Sequence, residues 1–424
     1  MLKSNHPELT TWIKVPENSD FPIQNLPYGI AASGDLIFIA TRIGDTVVDI
    51  SVLVDFGYFD SLEIPDLSIF YEKSLNELAL LPKNLRIAIR ERLTEIFSSS
   101  NMELQGNEEV LQLALHQAEQ VQMLMPVQVG DYTDFYSSIE HATNVGKIFR
   151  DPEKALLPNW KHLPVGYHGR ASSIVVSGTS IHRPKGQTRP NNDEETPHFG
   201  PSKQLDFELE MAFITSIKTN LGDSIPVDQA EDAIFGMVIF NDLSARDIQN
   251  WEYVPLGPFL SKSFGSVISP WVITMEALEP FRTKGPIQEP EVLPYLQIKG
   301  DHNFDIQLEV AIRPQKAEQT IVCQSNTKYL YWNMAQQLTH QTVAGCNINP
   351  GDMYASGTIS GPSPDSFGSM LELSWKGTRP VKMKDGSERN FIHDYDTITM
   401  KATAQKNGVR IGFGECITQI LPAK

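Results

Sequence analysis

The feature that most constrains this chain is a succession of short apolar–polar alternations set apart by Pro-, Gly- and Asn-rich connectors. SSIVVSG, DFELEMAFI, AIFGMVIF, WVITM, FDIQLEVAI, LELSW and DTITMKATA follow one another from Ser172 onward. Period-two alternation marks half-buried strands, and the regular strand–helix alternation of a doubly wound sheet is missing. The expected fold is mostly β, a large sandwich or roll of bent sheets. Pro184–Pro201 reads as a connector, and one later helix is expected over about Asn326–His340, with Leu330, Met334 and Leu338 on one stripe.

The amino-terminal part has its own organisation. Alternation from roughly Asp35 to Val54, with turn signals at Gly34-Asp35 and Gly44-Asp45, predicts short antiparallel strands. The period then becomes helical, at Ile87, Ile89, Leu93 and Ile96 after Pro82, and at Val110, Leu111, Leu113 and Ala114 after Gly106-Asn107. Pro126 and Gly130 mark the passage to a new region. Two domains are expected, residues 1–122 (β with helices) and residues 123–424 (mostly β).

Charge and cysteine usage narrow the function. With 52 acidic against 35 basic residues the net charge is −17, a field that repels a phosphate backbone, so no nucleic-acid partner is expected. Three widely spaced cysteines form neither a zinc pattern nor a disulfide framework and suit a reducing cytoplasm. MLKSNHPELTTW lacks the apolar core of a signal peptide, and LPAK is no peroxisomal address. Apolar runs such as Ile30–Ala40 and Val267–Met275 fall short of the ~20 residues that cross a bilayer, so no membrane partner is expected.

The first chemical candidate is the strand LDFELEMAF. Its periodicity places Leu205, Phe207, Leu209 and Met211 on one face and Asp206, Glu208 and Glu210 on the other. Carboxylates two apart on a strand repel, unless water screens them on an exposed face or a hard cation neutralises them. The similar segment DIQLEVAI keeps Asp305 and Glu309 around Gln307, and both readings stay open. Asp242 follows an apolar run where a strand ends, and Asp131 and Asp134 lie in a polar, aromatic segment read as a loop. His141, seven residues after Asp134, and His168 are competing candidates for a base near neutral pH. Arg246, Gln249, Tyr253 and Lys262 share a loop-like stretch suited to stabilising an oxyanion, with snorkelling surface residues as the alternative. Gly357-Thr358 and Glu372 carry less weight.

Taken in order, DYTDFYSSIEHATNVG, LPVGYHGRASSIV, LDFELEMAFI, FGMVIFNDLSARDIQNWEYVPLGPFLSKSFGSVISPWV and ASGTISGP resemble the fumarylacetoacetase (fumarylacetoacetate hydrolase) family over essentially the whole chain. The resemblance implies an SH3-like amino-terminal barrel over 1–122, a β-roll catalytic domain over 123–424, and a homodimer. It implies a Ca²⁺ and/or Mg²⁺ site at Asp134, Glu208, Glu210 and Asp242. A structural Mg²⁺ neighbourhood at Lys262 and Ser266 would share Asp242; family members often carry threonine in place of that serine. His141 is then the general base and Glu372 its orienting carboxylate, with Arg246, Gln249 and Lys262 stabilising the oxyanion and leaving group. Tyr136, Arg150, Tyr167, Gln249, Tyr253 and Thr358 become substrate contacts. The implied activity cleaves 4-fumarylacetoacetate, a small diketo acid, to fumarate and acetoacetate, the last step of tyrosine and phenylalanine catabolism. Alternatives are a related β-diketo-acid hydrolase, decarboxylase or isomerase, or a catalytically inactive, metal-stabilised binding protein.

Overall fold

The computed structural model describes residues 2–190, 192 and 196–424. Near the amino terminus, five strands form an antiparallel sheet in the order Leu115–Gln117, Thr46–Asp49, Leu36–Ile43, Tyr28–Ser33, Gln122–Leu124. Ile30, Ile39, Ile43 and Val48 on one face share a cluster with Ile89, Leu93 and Ile96 of the helix Lys83–Phe97 and Val110 of the helix Glu108–Ala114, while Ala31, Phe38, Ala40 and Val47 enter the other core.

The rest of the chain is built on two larger sheets. The first runs Gly166–His168, Tyr132–Phe135, Met353–Ala355, Leu209–Thr215, Ile234–Asp242, Ser266–Ile268, Ile174–Val176, with Ile273–Thr274 also paired to Ile234–Asp242. The second runs Thr320–Asn326, Gln307–Arg313, Thr397–Lys406, Val409–Leu421, Ile181–His182. The fold is mostly β, as alternation and turn spacing predict.

Layering explains why the central strands are apolar on both faces. Along Leu209–Thr215, Met211 and Phe213 enter a core shared with Val310, Ile312 and Met400 of the second sheet. Ala212 and Ile214 instead meet Ile30, Ile39 and Leu53 of the amino-terminal unit. Alternate residues point to opposite faces, so this strand is buried between two layers along its whole length.

Several local readings need correction. Ile50–Asp55 is a helix, because the Asp49 side chain accepts the Ser51 N–H and caps it. LELSW is also helical at its start: Met370–Leu373 follows the Ser369 cap, with two further N–H groups taken by Asp206. The later helix begins at Met334 rather than Asn326, where Asn333 and Gln336 form a capping box, and ends at Thr342. Pro184–Pro201 contains a two-stranded pairing of Lys185–Thr188 with His198–Pro201; residues 191 and 193–195 of that connector lie outside the described residues. The segments read as loops around His141 and Arg246 carry the helices Ile139–Phe149 and Arg246–Glu252. The first is capped by Ser138, whose hydroxyl accepts the His141 N–H at 3.2 Å. Among the described residues no helix is long and apolar enough to cross a membrane.

Candidate active site

One end of the first large sheet gathers the acidic residues. Tyr132–Phe135, Met353–Ala355 and Ile234–Asp242 end there, and Leu209–Thr215 begins there, with Ala355 opposite Asp134 and Ala212, and Leu209 opposite Asn241. Asp134 is two residues from Tyr132, Glu210 two from Ala212, and Asp242 two from Phe240, and those three neighbours all belong to the core cluster shared with the amino-terminal unit. By strand parity the three carboxylates leave the same face. With Glu208 they each offer an oxygen within 4.8 Å of the others, and all four residues are buried.

Asp206 departs from the alternation. The strand is interrupted after it, and its carboxylate accepts Met370 N at 2.6 Å, Leu371 N at 3.0 Å and Arg246 Nε at 2.8 Å. Its work is to seat the Glu372 helix and to hold Arg246. Asp206→Ala leaves a buried guanidinium short of a partner, so unfolding stability is expected to fall by roughly 3–5 kcal/mol, read from the urea midpoint. An unchanged midpoint removes Asp206 from this role.

Two cations pair with members of the cluster. Arg246 donates to Glu208 Oε1 at 2.6 Å and to Gln249 Oε1 at 3.1 Å. The Lys262 ammonium donates to Glu208 and, at 2.6 Å, to Asp242 Oδ2. Ser266 Oγ donates to Asp242 Oδ1 at 2.7 Å, and the Tyr167 hydroxyl lies 3.4 Å from Asp242 Oδ2. Burial pushes Glu208 up, but Arg246 and Lys262 outweigh it and hold the carboxyl well below its usual range. Asp134 moves the other way, raised by burial and then by the charge of Asp242; Glu210 is raised by burial and then by Asp134 and Glu208.

The residues fit a hard cation. Counting Asp206, five buried carboxylates meet the two cations Arg246 and Lys262, a formal excess of three negative charges. Asp134 Oδ1 and Glu210 Oε1 are buried without a hydrogen-bond partner, a costly arrangement unless something else occupies their lone pairs. All-oxygen donors suit Ca²⁺ or Mg²⁺. The other Glu210 oxygen accepts Gly357 N at 3.0 Å. Gly357 has φ +75°, and a Cβ there would collide with the Phe135 carbonyl, so the close approach requires glycine.

A cavity of about 520 Å³ opens beside the cluster, lined by Asp134, Glu208, Arg246 and Lys262. His141 lines it too; its Nδ1 lies 2.6 Å from Glu372 Oε2. Glu372 also accepts Asn144 Nδ2 at 2.9 Å, Ser360 Oγ at 2.8 Å and Ser369 Oγ at 2.9 Å. Burial raises the Glu372 carboxyl, but the His141 imidazole and the side-chain donors outweigh it, and the group is lowered below its ordinary value.

The remaining cavity wall brings together Tyr136, Arg150, Tyr167, Gln249, Tyr253 and Thr358. Tyr136 meets His141 edge-on with ring centroids 5.3 Å apart. Arg150 is turned to the Ala155 carbonyl, 2.7 Å from its nearer nitrogen, and Thr358 Oγ1 is buried without a partner. Tyr253 is about half exposed at the mouth. Ser266 stands behind Asp242 rather than on the cavity wall. Asp131 and His168 do not join this group: Asp131 is exposed, and the exposed His168 pairs with Thr133 Oγ1 at 3.2 Å. Asn144, Ser360 and Ser369 were not legible as site residues. The three-residue spacing of Asn144 from His141 would mark a shared helix face, but that segment reads as a loop.

Fold and site together define a mostly β protein with a buried acidic cluster, able to take a metal ion, of which Asp134 and Glu208 line a cavity. A family model described as fumarylacetoacetate hydrolase C-terminal matches residues 132–421, and one described as fumarylacetoacetase N-terminal matches residues 24–126. The chain is 51% identical to a fumarylacetoacetase of Dictyostelium discoideum, covering 98% of each, and 49% identical to one of Homo sapiens, covering 97% of this chain and 99% of the other. The solved structure of a fumarylacetoacetate hydrolase from psychrophilic Exiguobacterium antarcticum shares the fold with a TM-score of 0.52 at 17% identity, over 94% of this chain and 99% of that one. The chain belongs to the fumarylacetoacetate hydrolase family.

Proposed function

We propose that the chain hydrolyses 4-fumarylacetoacetate to fumarate and acetoacetate, breaking one carbon–carbon bond with one water. Relatives of about half identity over nearly the whole chain support the activity. The observation that carries the mechanism is the meeting of Asp134, Glu208, Arg246 and Lys262 with His141 on one cavity. Asp134, Glu208, Glu210 and Asp242 would hold Ca²⁺ or Mg²⁺. Bound there, the ion supplies Lewis-acid stabilisation of charge on the substrate's diketone oxygens.

The chain's own residues account for the remaining steps. Glu372 accepts the Nδ1 proton of His141, which leaves Nε2 as the basic nitrogen. His141 takes a proton from water, and the resulting hydroxide attacks the carbonyl that becomes the new carboxylate. Arg246, Gln249 and Lys262 stabilise the tetrahedral oxyanion and then the enolate that leaves. The proton held by His141 returns to the departing carbon, which completes acetoacetate. Tyr136, Arg150, Tyr167, Tyr253 and Thr358 position the diacid. Lys262 and Ser266, through Asp242, would border a second, structural Mg²⁺.

The same reading includes an SH3-like barrel within residues 1–122, a β-roll catalytic domain over 123–424, a cytoplasmic location and a homodimer. Exposed apolar side chains at Val254, Leu256 and Phe259 beside the cavity mouth give a second copy something to cover. Fumarate release from fumarylacetoacetate is the direct test. Activity is expected to disappear after chelation and return with Ca²⁺ or Mg²⁺. Turnover of other diketo acids without fumarate formation favours a sister activity, and turnover unchanged by chelator overturns the metal-assisted reading.

A further inference from the structure

Glu372 has more partners than a simple His–carboxylate pair requires. Its side chain is fully buried, and Oε2 is shared by His141, Ser360 and Ser369. Oε1 has a single hydrogen-bond donor among the described residues, Asn144 Nδ2 at 2.9 Å. Asn144 follows His141 by three residues on the helix Ile139–Phe149, so both side chains leave the same helix face. One helix therefore grips both oxygens of one carboxylate, His141 on Oε2 and Asn144 on Oε1. A carboxylate held at one oxygen can still rotate about its terminal bond; held at both, its plane is defined.

The opposite end of the grip is also tied down. Ser138, which caps this helix, donates to the Ser360 carbonyl at 3.1 Å. The Ser360 hydroxyl in turn donates to Glu372 and accepts Gly368 N at 2.9 Å. The histidine helix and the segment running from Thr358 to the Glu372 helix are thus one hydrogen-bonded unit. Asn144 is absent from the cavity wall, so it has no direct contact to offer a substrate there.

We infer that Asn144 is a positioning residue for the reaction, fixing the plane of the Glu372 carboxylate so that His141 keeps its Nδ1 proton and its aim at the cavity. The inference rests on His141 acting as the base. Asn144→Ala is expected to lower kcat by about 10–100-fold, the range for losing a partner that orients a working side chain, while KM and Ca²⁺ affinity stay near wild type. Asn144→Asp keeps the shape but sets a second carboxylate against Oε1, and is expected to lose more.

The deciding experiment is a double-mutant cycle on fumarate release by the metal-loaded enzyme. In a Glu372→Ala background, Asn144→Ala should cost almost nothing further, because it acts only through that carboxylate. Losses that multiply, a folded Asn144→Ala protein with wild-type kcat, or a raised KM at unchanged kcat would each overturn the inference. Asn144→Ser enters the same cycle if the alanine variant does not fold. His141→Ala, run alongside, separates the two levels: near-normal activity there sinks the base assignment, whereas an impaired His141→Ala with a multiplicative cycle sinks the Asn144 role alone.

Discussion

His141→Ala is expected to lower fumarate release by roughly 10²–10⁴-fold, the usual contribution of a positioned general base, with the cation still bound. The separation of the two effects follows from the geometry. His141 faces the cavity from the helix Ile139–Phe149, while the acidic cluster is assembled from strands of the large sheet and the residue just before one of them. Truncating the imidazole leaves every carboxylate of the cluster in place. A Ca²⁺ titration of the variant should match the parent protein. Near-normal turnover removes His141 from the base role, and a lost Ca²⁺ signal makes it part of the metal site instead.

Glu208→Gln should weaken Ca²⁺ binding by more than the 10–100-fold that a ligand's outer partner typically contributes, because a donor and its charge both go. It should also lower the stability of the metal-free protein by roughly 3–5 kcal/mol, since Arg246 and Lys262 both rely on that carboxylate in a buried setting. Asp134→Asn serves as the contrast. Asp134 has one oxygen without a partner and is raised by burial and by Asp242, so the metal-free protein gains nothing from its charge. That variant should lose Ca²⁺ affinity without losing apo stability, as read from urea midpoints with and without Ca²⁺. Equal affinity in either variant relocates the site.

The two acidic strands show how far sequence periodicity reaches. DFELEMAF and DIQLEVAI read almost alike, and both are strands. Around the second, Asp305 and Glu309 are partly solvated and Gln307 is exposed, the screened polar face. At the first, Glu208 and Glu210 lie buried, Glu208 against Arg246 and Lys262 and Glu210 against the Gly357 N–H. Nothing within either segment states which one will be covered; the residues that meet Glu208 and Glu210 are 38, 54 and 147 positions away in sequence. Alternation also misassigned Glu372, where a helical turn capped by Ser369 and Asp206 replaces the expected strand.

Alone, the sequence determined the mostly β character, the separate amino-terminal sheet with its closing helices and, through long matching segments, the family. Those properties follow from local periodicity, turn chemistry and residue identity in order. Residue spacing left open which carboxylates meet and which histidine of two pairs with a glutamate; the resemblance named them, and the tertiary structure brings them together and adds Asn144 to the grip. Such meetings depend on strand order and layer packing between distant segments, and the chain carries no local mark of where its far parts will come to rest.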